Sequence, residues 1–221
     1  MSTGVRSRFE KELVQLNEDV LRMGSLAQQA VQRAMRALLS SDPDLAREVI
    51  SEDLQINNFR FELEKRCYEL LVTEQPVARD MRVIVSALTI SNDLERIGDH
   101  GKKIAKIYQR MSENPRPIPM GGIQQLADIS LGLLERALRA YASGDPSEAQ
   151  AICQGDDAVD ALYKQTFNVT LSYMLESTHF ISPGTYLLQV AHELERVGDR
   201  ATNIAERMIY NSTGELMDLN V

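Results

Sequence analysis

The sequence contains no tryptophan, and aromatic residues make up only 5% of it, while Ala, Leu, Arg, Glu and Gln are abundant. That composition favours helix over strand. Cysteine is scarce too. Cys67 and Cys153 sit in apolar helical patterns without CxxC or Cys/His spacing, so both are expected to be buried, reduced thiols. Long apolar runs are missing: the longest, such as residues 83–85, fall far short of a membrane span. The N-terminal MSTGVRSRFEKEL has no apolar core of a targeting segment, and the expectation is a cytoplasmic protein with no direct membrane insertion. No basic arm relieves the formal charge of −8, which repels phosphate backbones, so no nucleic-acid partner is expected. A cation or a basic protein fits better. Nucleophile elbow, glycine-rich phosphate loop and Cys/His catalytic pairing are all absent, and a non-enzyme with no catalytic residue is expected.

What is present is helical periodicity. Phe9, Leu13, Leu16, Val20, Met23, Ala27, Ala30, Ala34 and Leu38 recur mostly three and four apart, the stripe of a long amphipathic helix. Ser41-Asp42-Pro43 breaks it, with Asp42 as N-cap and Pro43 in the first turn of the next helix. That second helix, to about residue 72, carries Leu45, Val49, Ile56, Leu63, Cys67 and Leu70. A third follows Gln75-Pro76 to about residue 111, with Met81, Ile84, Val85, Leu88, Leu94, Ile97 and Ile104 on its buried side.

The pattern then restarts. Residues 114–122, NPRPIPMGG, form the one convincing linker. Residues 33–57, RAMRALLSSDPDLAREVISEDLQIN, align without a gap on residues 136–160, RALRAYASGDPSEAQAICQGDDAVD. Residues 91–105, SNDLERIGDHGKKIA, return as residues 191–205, AHELERVGDRATNIA. The fold class is therefore all-α: two tandem three-helix bundles related by an internal repeat, over residues 1–113 and 123–221. The last helix is expected to start at Ser182-Pro183. Because Pro183 lies closer to Glu195 than Pro76 does to Glu95, the second bundle is expected to be about two turns shorter at that end.

The repeat preserves an acidic face. Glu95 and Asp99 lie four apart, as do Glu195 and Asp199, so each pair projects from one side of a helix. Asp53 and Asn57, and Asp156 and Asp160, share the spacing on the preceding helices. Counting back and forward from the intervening turns, Asp53 comes level with Glu95, Asp160 with Asp199, and Asp156 with Asn203. Two acidic grooves result. One holds Asp53, Asn57, Glu95 and Asp99; the other holds Asp156, Asp160, Glu195, Asp199 and Asn203. Closely spaced carboxylates need a counter-charge, and an all-oxygen set suits Mg²⁺, Mn²⁺ or iron. The bland alternative is a solvated face neutralised by Arg96, Lys102, Arg196 and Arg200. Asn57 and Lys103 replace the Asp160 and Asn203 of the second groove, so the first is expected to bind metal more weakly or not at all.

Other features are weaker. His100 points about 100° away from Asp99 round the helix and is expected on the surface. Glu176 and His179 form a single ExxH, which falls short of a di-iron carboxylate set. Gly98 and Gly198, inside helices, suggest close approach of a neighbouring helix or ion. The small residues Ala27, Ala30 and Ala34 leave room near the first groove, or serve helix packing.

The doubled LERIGDHGKKIAK and LERVGDRATNIAE, the QPVARDMR segment at residues 75–82, and the paired DPDLAREVISED and DPSEAQAICQGD resemble the PhoU family of phosphate-signalling regulators over about residues 9–210. The resemblance implies tandem three-helix bundles whose acidic motifs hold Mg, Mn, Fe or Zn. The motif falls on Glu95 with Asp99, Glu195 with Asp199, and Asp156 with Asp160, and Asp53 with Asn57 departs from it. It also implies a cytosolic negative regulator of the phosphate-starvation response and of phosphate uptake. Its expected partners are a sensor histidine kinase, the ATPase of the phosphate ABC transporter, and a second copy in a homodimer. A carboxylate-bridged metal enzyme or a metal-storage bundle is the alternative.

Overall fold

The computed structural model describes residues 2–113, 118–145 and 147–215. Six helices follow one another: α1 (Ser2–Ser40), α2 (Pro43–Glu74), α3 (Arg79–Ser112), α4 (Gly121–Ser143), α5 (Ser147–Glu176) and α6 (Ile181–Thr213). A 3-10 turn, Thr178–Phe180, precedes α6. The described residues contain no strand. Helix α1 begins seven residues before Phe9. Residues 114–117 of the linker, and Pro146 of the second Asp-Pro turn, lie outside the described residues. Gly121 and Gly122, at the end of the linker, already belong to α4.

Local chemistry sets these boundaries. Asp42 accepts from the amides of Asp44 and Leu45 at 3.1 and 3.0 Å, capping α2 with Pro43 in its first turn. Asp145 accepts from the Ser147 amide at 2.9 Å, which holds its carboxyl below the ordinary range. Gly144 and Gly214, both with positive φ, close α4 and α6. The α2–α3 turn is less relaxed. Gln75 and Ala78 both have φ 49°, and Ala78 precedes α3 without a side-chain cap.

Each stripe packs within its own triplet: α1 with α2 and α3, and α4 with α5 and α6. All six apolar positions expected on α2 are buried. On α3, Ile84, Leu94, Ile97 and Ile104 are buried, whereas Met81, in the first turn, is 39% exposed. Cys67 is buried and Cys153 half-buried, both as free thiols. Burial pushes each up to about 11, so neither is a ready nucleophile.

The triplets join along α3 and α6, which run antiparallel, with α1 touching α4 beside them. Arg82 Nε donates to the Asn211 carbonyl at 3.3 Å, and Ser86 Oγ to that of Arg207 at 3.4 Å. On the other seam Tyr141 Oη donates to Asn17 Oδ1 at 2.6 Å.

Two boundary expectations need correction. Helix α6 starts at Ile181, with Pro183 buried inside its first turn. The second unit is not two turns shorter either. Arg79 and Glu95 are 16 positions apart, and Ile181 and Glu195 are 14 apart. Measuring from prolines misled, because α3 starts three residues after Pro76 and α6 two before Pro183.

Small residues set the helix spacing. A Cβ on Gly101 of α3 would lie 2.8 Å from the Ala30 backbone carbon of α1, so the small stripe on α1 serves packing. Gly132, inside α4, has nothing within 4 Å of such a Cβ. Gly101→Ala is therefore expected to lower stability by about 1–3 kcal/mol through overpacking, although Ala is the better helix former. Gly132→Ala should raise it by about 0.5–1 kcal/mol. Urea denaturation of both variants checks the contrast; a stabilised Gly101→Ala would contradict the packing.

Candidate functional site

The second acidic groove lies between α5 and α6. Helix α5 supplies Asp156 and Asp160, and α6 supplies Glu195 and Asp199 one turn apart. The carboxylates feel one another. Burial, then Asp199 and Asp160, push the Asp156 carboxyl up to about 6. Burial and the same two neighbours push Glu195 up to about 7. Asp199 is also raised, by burial first, with Asp160 adding to it against the opposing Arg196 and Arg200.

Two oxygens in this groove lack a hydrogen-bond partner although buried: Asp156 Oδ1 and Glu195 Oε2. His192 Nδ1 stands 3.4 Å from the latter as an ion-pair neighbour only. Gly198 brings α6 onto α5 here, with a Cβ position 3.1 Å from Asp156 Oδ1. The close approach expected at Gly198 is therefore that of a neighbouring helix, as at Gly98, where a Cβ would lie 2.8 Å from Ile56 of α2. Carboxylates raised by burial and by one another, with one buried oxygen each of Asp156 and Glu195 unpartnered, suit a hard cation chemically. As the side chains stand, however, no three His, Cys, Asp or Glu groups among the described residues converge to hold one.

The first groove, between α2 and α3, has solved the same problem internally. Lys102 Nζ donates to Asp53 Oδ2 at 2.6 Å and lies 3.6 Å from Asp99 Oδ1. Its ammonium is held above the ordinary lysine range by the Asp53 hydrogen bond, opposed by partial burial. Asn57 Nδ2 donates to the same Asp53 oxygen at 3.1 Å. Arg96 adds ion pairs to Glu95 at 3.6 Å and to Asp99 at 3.8 Å. The Lys102 ammonium already supplies these carboxylates with a cation. Thr202, the repeat counterpart of Lys102, brings no charge and donates to the Gly198 carbonyl at 3.3 Å.

The expectation for His100 is overturned. It is only 3% exposed, with Nδ1 2.5 Å from Glu193 Oε2 on α6. The face turned away from the groove meets the other bundle, a neighbour that a one-helix projection omits. Lys103 lies 3.4 Å from the same carboxylate. Burial works to raise Glu193, but the His100 and Lys103 contacts outweigh it and hold the carboxyl below its ordinary value.

The repeat builds this cluster twice. Arg200 Nη1 and Asn203 Nδ2 donate to Asp93 Oδ1 of α3 at 3.2 and 3.3 Å. Here burial outweighs the bonds from Asn203 and Arg200, and Asp93 stays above its ordinary value. The Asn203 amide thus faces α3, while Asp156, which it was expected to accompany, faces Asp199. Asp93 and Glu193 escaped the sequence reading although the repeat aligns them, each seven residues before its counterpart of the basic pair His100 and Arg200. Glu176 and His179 are both exposed, one ending α5 and the other in the 3-10 turn beyond it.

Because the folded-state values of Asp156 and Glu195 are raised, their contribution to stability is present below about pH 4 and lost as pH climbs through about 6 and about 7. Asp199→Asn removes a repelling charge from both. Carbon-detected NMR titration of the metal-free protein should show both midpoints lowered toward ordinary carboxylate values. Stability should rise at pH 8 and change little at pH 4; unshifted midpoints would contradict the coupling.

The model of the PhoU domain matches residues 20–108 and again 123–208. A Rhizobium meliloti protein named phosphate-specific transport system accessory protein PhoU homolog is 39% identical over 95% of this chain and 89% of its own. A Clostridium acetobutylicum protein of the same name is 36% identical over 97% of this chain and 99% of its own. The crystal structure of the phosphate transport system regulatory protein PhoU from Streptococcus pneumoniae superposes with a TM-score of 0.89 at 33% identity, covering 95% of this chain and 99% of that one. PhoU from Pseudomonas aeruginosa gives the same TM-score and identity over 94% and 100%. On the doubled domain, the full-length likeness and the shared fold, the chain belongs to the PhoU family.

Proposed function

We propose that the protein is an accessory regulator of phosphate transport, a helical adaptor that restrains the phosphate-starvation response and phosphate uptake. The observation that carries this reading is the correspondence, along nearly the whole chain, to relatives named as accessory proteins of the phosphate-specific transport system. Within that role it would link the ATPase of the phosphate ABC transporter to a membrane sensor histidine kinase, working from the cytoplasm and as a homodimer. No described helix is long and apolar enough to cross a membrane.

The shape supports an adaptor. Since α3 and α6 are antiparallel, the α2–α3 and α5–α6 turns lie at opposite ends of the molecule. Val72, Val77 and Met81 are exposed by 76, 75 and 39% at the first. Leu171, Leu175 and Ile181 are exposed by 39, 80 and 46% at the second. Two apolar ends give two places to dock. The strained backbone at Gln75 and Ala78 holds Val77 outward between them.

The second acidic groove would hold a hard divalent cation on Asp156, Asp160, Glu195 and Asp199. Such a cation supplies the counter-charge that Lys102 supplies in the first. It would stiffen the α5–α6 pairing beneath one docking end, with rotation of the carboxylates bringing them together. The clustered, mutually raised carboxyls and the partnerless Asp156 and Glu195 oxygens support this role over that of a solvated face.

Deleting the gene should derepress phosphate-regulated promoters in phosphate-replete medium, and the wild-type gene should restore repression. A Val72→Asp, Val77→Asp double variant should keep the fold, since both side chains are exposed, yet fail to restore it. Reporter expression with circular dichroism of the purified variant checks both. Unchanged expression on deletion would contradict the regulatory reading, and full restoration by the variant would contradict docking at that end.

A further inference from the structure

We propose a binding site for a linear oligophosphate in the cleft between the C-terminal half of α3 and the N-terminal half of α6. The cleft encloses about 320 Å³ and is lined by Lys103, Lys106, Ile107 and Arg110 of α3 and by Gln189, His192 and Glu193 of α6. That volume is at the lower end of small-ligand sites.

The charge in the cleft opposes that of the protein. Three permanent cations face one carboxylate there, in a chain of net charge −8. That carboxylate, Glu193, is already engaged by His100 at 2.5 Å and Lys103 at 3.4 Å. Lys106 and Arg110 are exposed and form no ion pair among the described residues. Two cations are thus left uncompensated above a buried apolar floor, Ile107.

The repeat provides an internal control. At the corresponding positions α6 carries Asn203, Glu206 and Tyr210 where α3 has Lys103, Lys106 and Arg110. At that end the seam is also bridged, by Arg82 and Ser86 donating to α6 carbonyls. Their counterparts at the basic end are Ser182 and Tyr186. The basic row is therefore a property of one end only and not a by-product of the packing.

Its length selects the ligand. Lys103, Lys106 and Arg110 stand at i, i+3 and i+7, a row of about 10 Å, longer than one tetrahedral anion spans. A chain of phosphoryl groups can meet all three, with the Arg110 guanidinium binding two oxygens at once. This inference goes beyond the adaptor reading and does not depend on it.

Isothermal titration of the full-length protein, in chelator at low salt, tests it with tripolyphosphate, orthophosphate and a polyglutamate peptide. Tripolyphosphate should bind one to one, about tenfold or more tighter than orthophosphate, and weaken as salt rises. A Lys106→Gln, Arg110→Gln double variant should lose about tenfold or more. The charge-conserving Lys106→Arg, Arg110→Lys variant should recover most of it, and Lys65→Gln, on the far surface, should bind like wild type. No binding of tripolyphosphate, equal binding by the double variant, or equal affinity for orthophosphate or the peptide would each overturn the proposal.

Discussion

The antiparallel seating of α3 on α6 is the contact on which the rest of the molecule depends. Each helix carries an acid near its middle and a basic partner seven residues on, and reversal of direction brings acid to base twice: Glu193 to His100 and Asp93 to Arg200. Because those charges meet inside a buried seam, where His100 is 3% and Asp93 8% exposed, removing one partner would leave the other desolvated and unpaired. The pairs fix both register and direction. Arg82 and Ser86 extend that register to one end of the seam.

With α3 and α6 fixed against each other, their other faces point outward to α2 and α5, and there the two copies diverge. Between α2 and α3, Lys102 bridges Asp53 and Asp99, so the groove carries its own cation. Between α5 and α6 the same position is Thr202, whose hydrogen bond to Asp156 only partly opposes burial and the neighbouring carboxylates in raising that group, and Glu195 is raised by burial and the same neighbours. A duplicated unit has thus become one half whose acids share an internal lysine and one in which Lys164 pairs with Asp160 alone at 3.4 Å and no lysine or arginine ion pair bridges the two helices among the described residues. The same divergence acts at the seam's far end, where the first copy retains Lys106 and Arg110 and the second has Glu206 and Tyr210.

Much of this was legible beforehand, for identifiable reasons. Three-and-four spacing marks a stripe whatever packs on it, so Leu45, Val49, Ile56, Leu63, Cys67 and Leu70 could all be placed inside. Asp42 caps α2 by chemistry confined to three residues. The approach of Asp160 to Asp199 followed from equal distances to a short turn, whereas Asp156, counted level with Asn203, meets Asp199 instead. What remained hidden required knowing how the bundles meet. His100 looked exposed until α6 covered it, and Asn203 looked directed at the groove until Asp93 took its amide. Lys102 was visible as a neighbouring charge, but its reach into Asp53 depends on a side-chain conformation that spacing does not specify.

The asymmetry of the two grooves is the central claim, and anomalous diffraction from crystals soaked in Mn²⁺ addresses it most directly. The account predicts an anomalous peak among Asp156, Asp160, Glu195 and Asp199 and none beside Lys102. Peaks of equal height in both grooves, or a peak beside Lys102 alone, would contradict it.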